Sequence, residues 1–232
     1  MSAKQLAAAV GTVAGFAGLI LGGTLLVSQR VHADDERRSS DESRIEQGLQ
    51  IAPVHLTYQK HNRQLVGLGS YIVNAVSGCN GCHSAGPATE YAAGHNPYMR
   101  LGPFTPPKTV NPATYLGGGR DFGQIGPITS STIPPHIVSR NLTPDKTGLP
   151  EGGATFAEFF DTIRHGIDHD HLHPNCNRTT ITSNCFNPPF NGDLLQVMPW
   201  PEYQEWTDRD LRAVYEYLRA IPCIAGTGHD CF

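Results

Sequence analysis

Basic residues are scarce in this chain: 17 Lys and Arg stand against 21 Asp and Glu among 232 residues, a formal net charge of −4. A chain of that sign does not attract a polyanion, so nucleic acid is excluded as a partner. Strand signals are lacking too. No alternating run is long enough to build a sheet and no segment repeats, which leaves a mainly α fold with much irregular backbone. Methionine is nearly absent, with Met99 and Met198 the only two beyond the initiator. The length left after the leader described next suits one domain of ordinary size.

Residues 1–33 have the order of an export signal. Lys4 comes first, an uncharged run extends from Gln5 to Gln29, and Val31-His32-Ala33 precede Asp34-Asp35-Glu36 with small residues at the −3 and −1 positions of a cleavage site. The apolar middle, Leu6 to Val27, exceeds the roughly 7–15 residues of a signal peptide and approaches the ~20 that span a bilayer. Residues 1–33 are therefore either a cleaved signal or a retained transmembrane anchor, and both place the rest of the chain in the periplasm. Residues 34–60 read as a linker, since Asp34 to Gln50 is charged and shows no helical apolar stripe. The folded domain is expected over residues 61–232.

Within that domain Leu65, Leu68, Ile72 and Val76 recur at helical spacing up to Gly78, with Gly69 on the same face to admit a second helix. Residues 84–136 are dense in Gly and Pro, and their aromatics Tyr91, Tyr98, Phe104, Tyr115 and Phe122 need somewhere to bury; such a segment is expected to wrap a bulky group. Thr155 and Glu158 form a capping box for a helix with Phe159, Phe160 and Ile163 inside, ending near Gly166. Thr207 caps a last helix with Asp208 and Asp210 in its first turn and Leu211, Val214, Tyr215 and Leu218 on its apolar face, stopped by Pro222.

Cys79-Asn80-Gly81-Cys82-His83 carries the chemistry. C-x-x-C-H is the attachment sequence for c-type haem: the two thiols add to the porphyrin vinyl groups, and the adjoining histidine becomes the proximal iron ligand. A thioredoxin-like pair would need a buried strand before it, and a zinc site a second matched cysteine pair; neither is present. The motif occurs once, so one covalently bound haem c is expected, with Cys79, Cys82 and His83 holding it. Met198, in Val197-Met198-Pro199-Trp200-Pro201, is the expected second axial ligand, a soft sulfur on backbone stiffened by two prolines. The other cysteines allow three connectivities, and their short spacings point to the disulfides Cys176–Cys185 and Cys223–Cys231.

These residues, with Tyr115-Leu116-Gly117-Gly118-Gly119, Asn141-Leu142-Thr143-Pro144-Asp145-Lys146-Thr147-Gly148, Arg164-His165-Gly166 and Asp210 to Arg219, resemble class I cytochromes c. The likeness is specifically to the haem domains in cytochrome subunits of periplasmic alcohol, aldehyde and sugar-acid dehydrogenases. The resemblance covers most of residues 65–222. It implies the class I fold, with long irregular loops wrapping one haem, His83 and Met198 as axial ligands, and first and last helices that cross, matching the Gly69 face to the Tyr215/Leu218 face. It also implies an electron carrier rather than an enzyme, working between a periplasmic dehydrogenase and a terminal oxidase or another cytochrome. The chain departs from that pattern in carrying one motif where those subunits carry several, and in a longer, more polar stretch from Asp168 to Leu195.

Two further readings come from the residues themselves. His165, His169, His171 and His173 are interleaved with Asp168 and Asp170 and could bind zinc or copper, although a solvated loop near the haem edge accounts for them equally in chemistry and better in the lack of a remote ligand. Arg164 is a candidate partner for a haem propionate. If Met198 does not bind iron, the alternative is a five-coordinate haem protein, a sensor or peroxidase.

Overall fold

A computed structural model describes residues 40–58, 61–85, 87–99, 107–124, 136–169, 193–226 and 229–232. The chain divides into two units, Met1–Ser43 and Arg44–Phe232. Helix α1 covers 40–51, and its part from Arg44 onward belongs to the second unit. There follow α2 (Arg63–Tyr71), the short α3 (Pro87–Glu90), strands β1 (Asp121–Gln124) and β2 (His136–Val138), α4 (Phe156–His165), the short α5 (Trp200–Tyr203) and α6 (Asp208–Ala220). The strands pair antiparallel in a two-stranded sheet. Among the described residues no helix is long and apolar enough to cross a membrane; residues 1–33 lie outside them.

The helix ends form where the sequence supplies caps. The Thr155 side chain accepts from Glu158 N, and the Glu158 carboxylate accepts from both Thr155 N (2.8 Å) and the Thr155 hydroxyl (2.7 Å). Gly166 closes α4 at φ +71°, a conformation that costs a residue with a Cβ. Thr207 accepts from Asp210 N at 3.1 Å to start α6.

The core lies where α2 and α6 meet, the most extensive contact between helices. Gly69 makes it possible: a Cβ there would stand 2.0 Å from the Ala213 carbonyl oxygen. The partner face is Ala213 and Tyr217, both fully buried, rather than the expected Tyr215/Leu218. Tyr215 instead packs its ring on Phe156 and Phe159 of α4, at centroid distances of 5.3 and 5.4 Å. Tyr217 meets Tyr115 hydroxyl to hydroxyl at 2.7 Å, and Asn74 bonds to both, so two buried phenols are satisfied where water is excluded.

Three expectations differ from what is found. Residues 40–51, read as linker, are helical; Ile45 joins the core, and a Cβ on Gly48 would lie 1.9 Å from the Gly67 carbonyl oxygen. Leu49 packs on the same core, the Gly48 carbonyl accepts from the Ser70 hydroxyl at 2.6 Å, and Arg44 lies over the Tyr71 ring, so a charged helix with few apolar residues is still docked. Val76, expected on the buried face of α2, is 59% exposed. The helix widens into a π turn over Ile72–Val76, with Ser77 N bonding to Ile72 O, and the extra residue rotates Val73 inward and Val76 outward. Of the aromatics expected to bury, Tyr91 and Tyr115 do; Tyr98 is 86% exposed, Phe122 is half-buried, and Phe104 lies outside the described residues.

Candidate functional site

The C-x-x-C-H segment begins where the π turn ends. Gly78 takes φ +60°, and Cys79–Gly81 make one tight turn, with Cys82 N and His83 N both bonding to Cys79 O at 3.2 and 3.0 Å. The two intervening residues anchor this turn. Asn80 is buried and its Oδ1 accepts from Leu116 N at 2.9 Å, while the Gly81 carbonyl accepts from Arg120 Nη1 at 2.5 Å. With Asn80 and Gly81 committed to the fold, Cys79, Cys82 and His83 line a cavity of about 250 Å³.

That cavity is predominantly apolar. Val73 of the π turn, Phe159 and Ile163 of α4, and Val214 and Leu218 of α6 contribute to its wall, and β2 lies along it. Met198 lines it as well, so the motif's three predicted site residues and a fourth more than a hundred positions away share one space. Both motif cysteines are free thiols. Burial pushes the Cys79 thiol up from its ordinary pKa, partly countered by Ser77, whose hydroxyl lies 3.2 Å from the sulfur.

His83 Nδ1 lies 2.7 Å from the Arg140 carbonyl oxygen. A carbonyl only accepts, so Nδ1 carries the proton and Nε2 keeps its lone pair. Desolvation lowers the imidazole's pKa, offset in part by that carbonyl and reinforced by the Arg140 charge, which favours the neutral ring. A neutral histidine with one nitrogen tied and the other open is the form that binds a metal.

The Met198 turn is held by packing. Trp200 N bonds to Met198 O at 2.8 Å and Trp200 Nε1 to Leu195 O at 3.1 Å. The indole lies against Gly166, where a Cβ would come within 2.3 Å of the ring. Leu195 N also bonds to Gly166 O at 2.8 Å, so one glycine ends α4 and seats the turn that presents Met198. Met99, the other methionine, is 60% exposed.

Sequence reasoning missed two features of the cavity. Arg140 lines it between Glu151 (3.1 Å) and Asp168, both of which also line it. No local pattern marks these three, which meet only through the fold. Tyr203 and Trp206 stack at 4.6 Å on its wall, and burial, aided by the Cys79 and Cys82 sulfurs, pushes the Tyr203 hydroxyl up to about 12. Arg164, expected near the site, does not line it: it bonds to Asp208 Oδ1 at 2.8 Å and to the Gln204 carbonyl, and lies over the Phe160 ring. Among the described residues no group of His, Cys, Asp or Glu is arranged to hold a metal ion. His171, His173, Cys176 and Cys185 lie outside the described residues. Cys223 and Cys231 form the expected disulfide, with Cα atoms 5.7 Å apart.

No family model matches the chain, and no solved structure does. Curated proteins resemble part of it. Over 83 residues it is 34% identical to the cytochrome c subunit of quinone alcohol dehydrogenase from Gluconacetobacter polyoxogenes, and equally to that from Komagataeibacter europaeus, covering 35% of this chain and 13% of each relative. Over 103 residues it is 31% identical to the gluconate 2-dehydrogenase cytochrome c subunit of Pantoea cypripedii, covering 44% of this chain and 18% of that protein. The chain thus matches less than a fifth of the length of these relatives. Within that part the relationship is cytochrome c-like.

Proposed function

We propose that this chain is a monohaem class I c-type cytochrome that passes single electrons and performs no substrate chemistry of its own. The observation that carries the reading is that Cys79, Cys82, His83 and Met198 line one apolar cavity. The donor set fits haem c: two free thiols for thioether bonds, a neutral imidazole with Nε2 open, and a thioether sulfur. When bound, the haem supplies a one-electron ferric/ferrous couple.

The rest is done by the chain. Cys79 and Cys82 would hold the group covalently, His83 and Met198 would be its iron ligands, and the apolar wall would keep water away. With both ligands supplied by the chain, the iron would have no vacant position for a substrate, which suits electron transfer. The relatives' names, cytochrome c subunits of an alcohol dehydrogenase and of gluconate 2-dehydrogenase, support a dehydrogenase as the electron donor; a terminal oxidase or another cytochrome as acceptor, and a periplasmic setting, are our own reading from the sequence. Residues 1–33 deliver the domain to the periplasm and, if retained, anchor it to the inner membrane.

The test is a spectrum of the exported protein in both oxidation states, with and without carbon monoxide, beside a pyridine haemochrome assay. One covalent haem per chain and no carbon monoxide complex are expected. Ready carbon monoxide binding by the unaltered protein would sink the six-coordinate carrier.

A further inference from the structure

The Arg140 carbonyl that receives the His83 proton does not stand alone. The residue after it, Asn141, donates through Nδ2 to the Ile224 carbonyl at 2.7 Å. Asn141 Oδ1 accepts from the Thr143 amide (2.9 Å) and the Thr143 hydroxyl (2.7 Å). That hydroxyl in turn accepts from Ile224 N at 3.0 Å. Ile224 follows Cys223, so two of these four bonds reach the loop that Cys223–Cys231 closes, and the other two tie Asn141 to Thr143. Farther along the same loop, His229 is buried with Nε2 3.2 Å from the Pro144 carbonyl, and Asp230 O accepts from Lys146 N at 2.9 Å.

The opposite side of the same peptide is closed by Gly118. A Cβ there would stand 2.4 Å from the Arg140 carbonyl carbon, and Gly118 N bonds to the His83 carbonyl at 2.8 Å. The Arg140–Asn141 peptide is thus clamped between Gly118 and the C-terminal loop, with a satisfied polar network on the loop side. Such a network is more rigid than its single bonds.

We propose that the disulfide-closed C-terminal loop positions His83 by holding the Arg140 carbonyl through Asn141 and Thr143. The inference rests on the haem reading above and extends it: Asn141 and Thr143 are positioning residues. A firm Nδ1–H···O=C bond raises the basicity of the imidazole toward metal and favours the ferric state. Loosening the clamp weakens that bond and moves the midpoint potential up.

Thr143 is fully buried, so Thr143→Val removes the hydroxyl at nearly constant shape, and Thr143→Ser restores it. Asn141→Leu removes the amide, and with it the donor to Ile224 and the acceptor for Thr143, without adding a charge. Cys223→Ser/Cys231→Ser opens the loop while leaving the network residues in place. All are made in the full exported chain, and haem attachment is measured first. In Thr143→Val, Asn141→Leu and the double serine variant, the midpoint is expected to rise by ~28 mV. That corresponds to about a threefold larger ferrous-to-ferric ratio, since ~59 mV is tenfold for one electron. Proton exchange at His83 Nδ1, followed by NMR, is expected to quicken in the same variants, and Thr143→Ser to behave as the unaltered chain.

Loss of thermal stability with unchanged midpoint and exchange would show that the loop is merely structural and would overturn the inference. If Thr143→Val yields no loaded protein, Asn141→Leu and the double serine variant carry the same expectation. An unaltered chain without covalent haem overturns the underlying reading and this inference with it; a loaded chain whose variants keep its midpoint overturns this inference alone.

Discussion

His83 and Met198 line the same cavity, yet the backbone behind each is held by different forces. Behind His83 stands a chain of hydrogen bonds that runs from the Arg140 carbonyl through Asn141 and Thr143 to a disulfide-closed loop. Behind Met198 stands one ring laid on one glycine, Trp200 on Gly166, with few hydrogen bonds to help. Polar networks fix direction, because each bond weakens with angle; an apolar contact fixes only distance. The difference implies a stiff histidine side and a more yielding methionine side.

Four substitutions sharpen or break that contrast. The largest effect is expected from Met198→Ala, which should turn a protein inert to carbon monoxide into one that binds it stoichiometrically, read from the reduced spectrum; no change would remove Met198 as ligand. Gly166→Ala comes next. Its methyl group meets the Trp200 ring and its φ of +71° disfavours a Cβ, so a loss of about 1–3 kcal/mol is expected in denaturant melts. Partial carbon monoxide binding should accompany it, while proton exchange at His83 Nδ1 stays as it was. If the two sides respond alike, the contrast is wrong.

Tyr217→Phe tests the core that both sides share. It removes one hydroxyl from the Tyr115–Asn74 group and should cost about 1 kcal/mol of stability with no change on the His83 or the Met198 side, as seen by thermal melts and spectra. The smallest effect belongs to Glu158. Bonds from the Thr155 amide and hydroxyl hold its carboxyl below the ordinary carboxylate range. A depressed folded-state pKa gives stability that is fully present above the unfolded value and lost as pH falls through the folded one. Glu158→Gln should therefore melt lower than the unaltered chain near neutral pH, and the two should converge as the solution is acidified.

Helix ends and the C-x-x-C-H segment were legible in the chain because each is a short-range pattern. Thr155 and Glu158 are three residues apart, the motif is five residues long, and Gly166 and Gly78 stand where the backbone must turn left-handed. The pairing of Cys223 with Cys231, eight residues apart, belongs with these. Other features were not legible. The π turn that sends Val76 outward leaves no mark in apolar spacing, and Arg164 had no signal separating a site cation from one bound to α6. Arg140, Glu151 and Asp168 meet only through tertiary contacts.

By itself, then, the sequence determined which atoms are available for chemistry: two thiols, an imidazole and a thioether, on segments with defined ends. Only the tertiary structure decided which nitrogen of His83 is open, because the Arg140 carbonyl that takes the Nδ1 proton comes from 57 residues away. It also decided that Met198 shares the cavity, since Gly166 and Trp200 meet only once α4 has folded against the turn before α6. Residue types and short spacings travel with the chain; tautomer and direction depend on what the fold brings alongside.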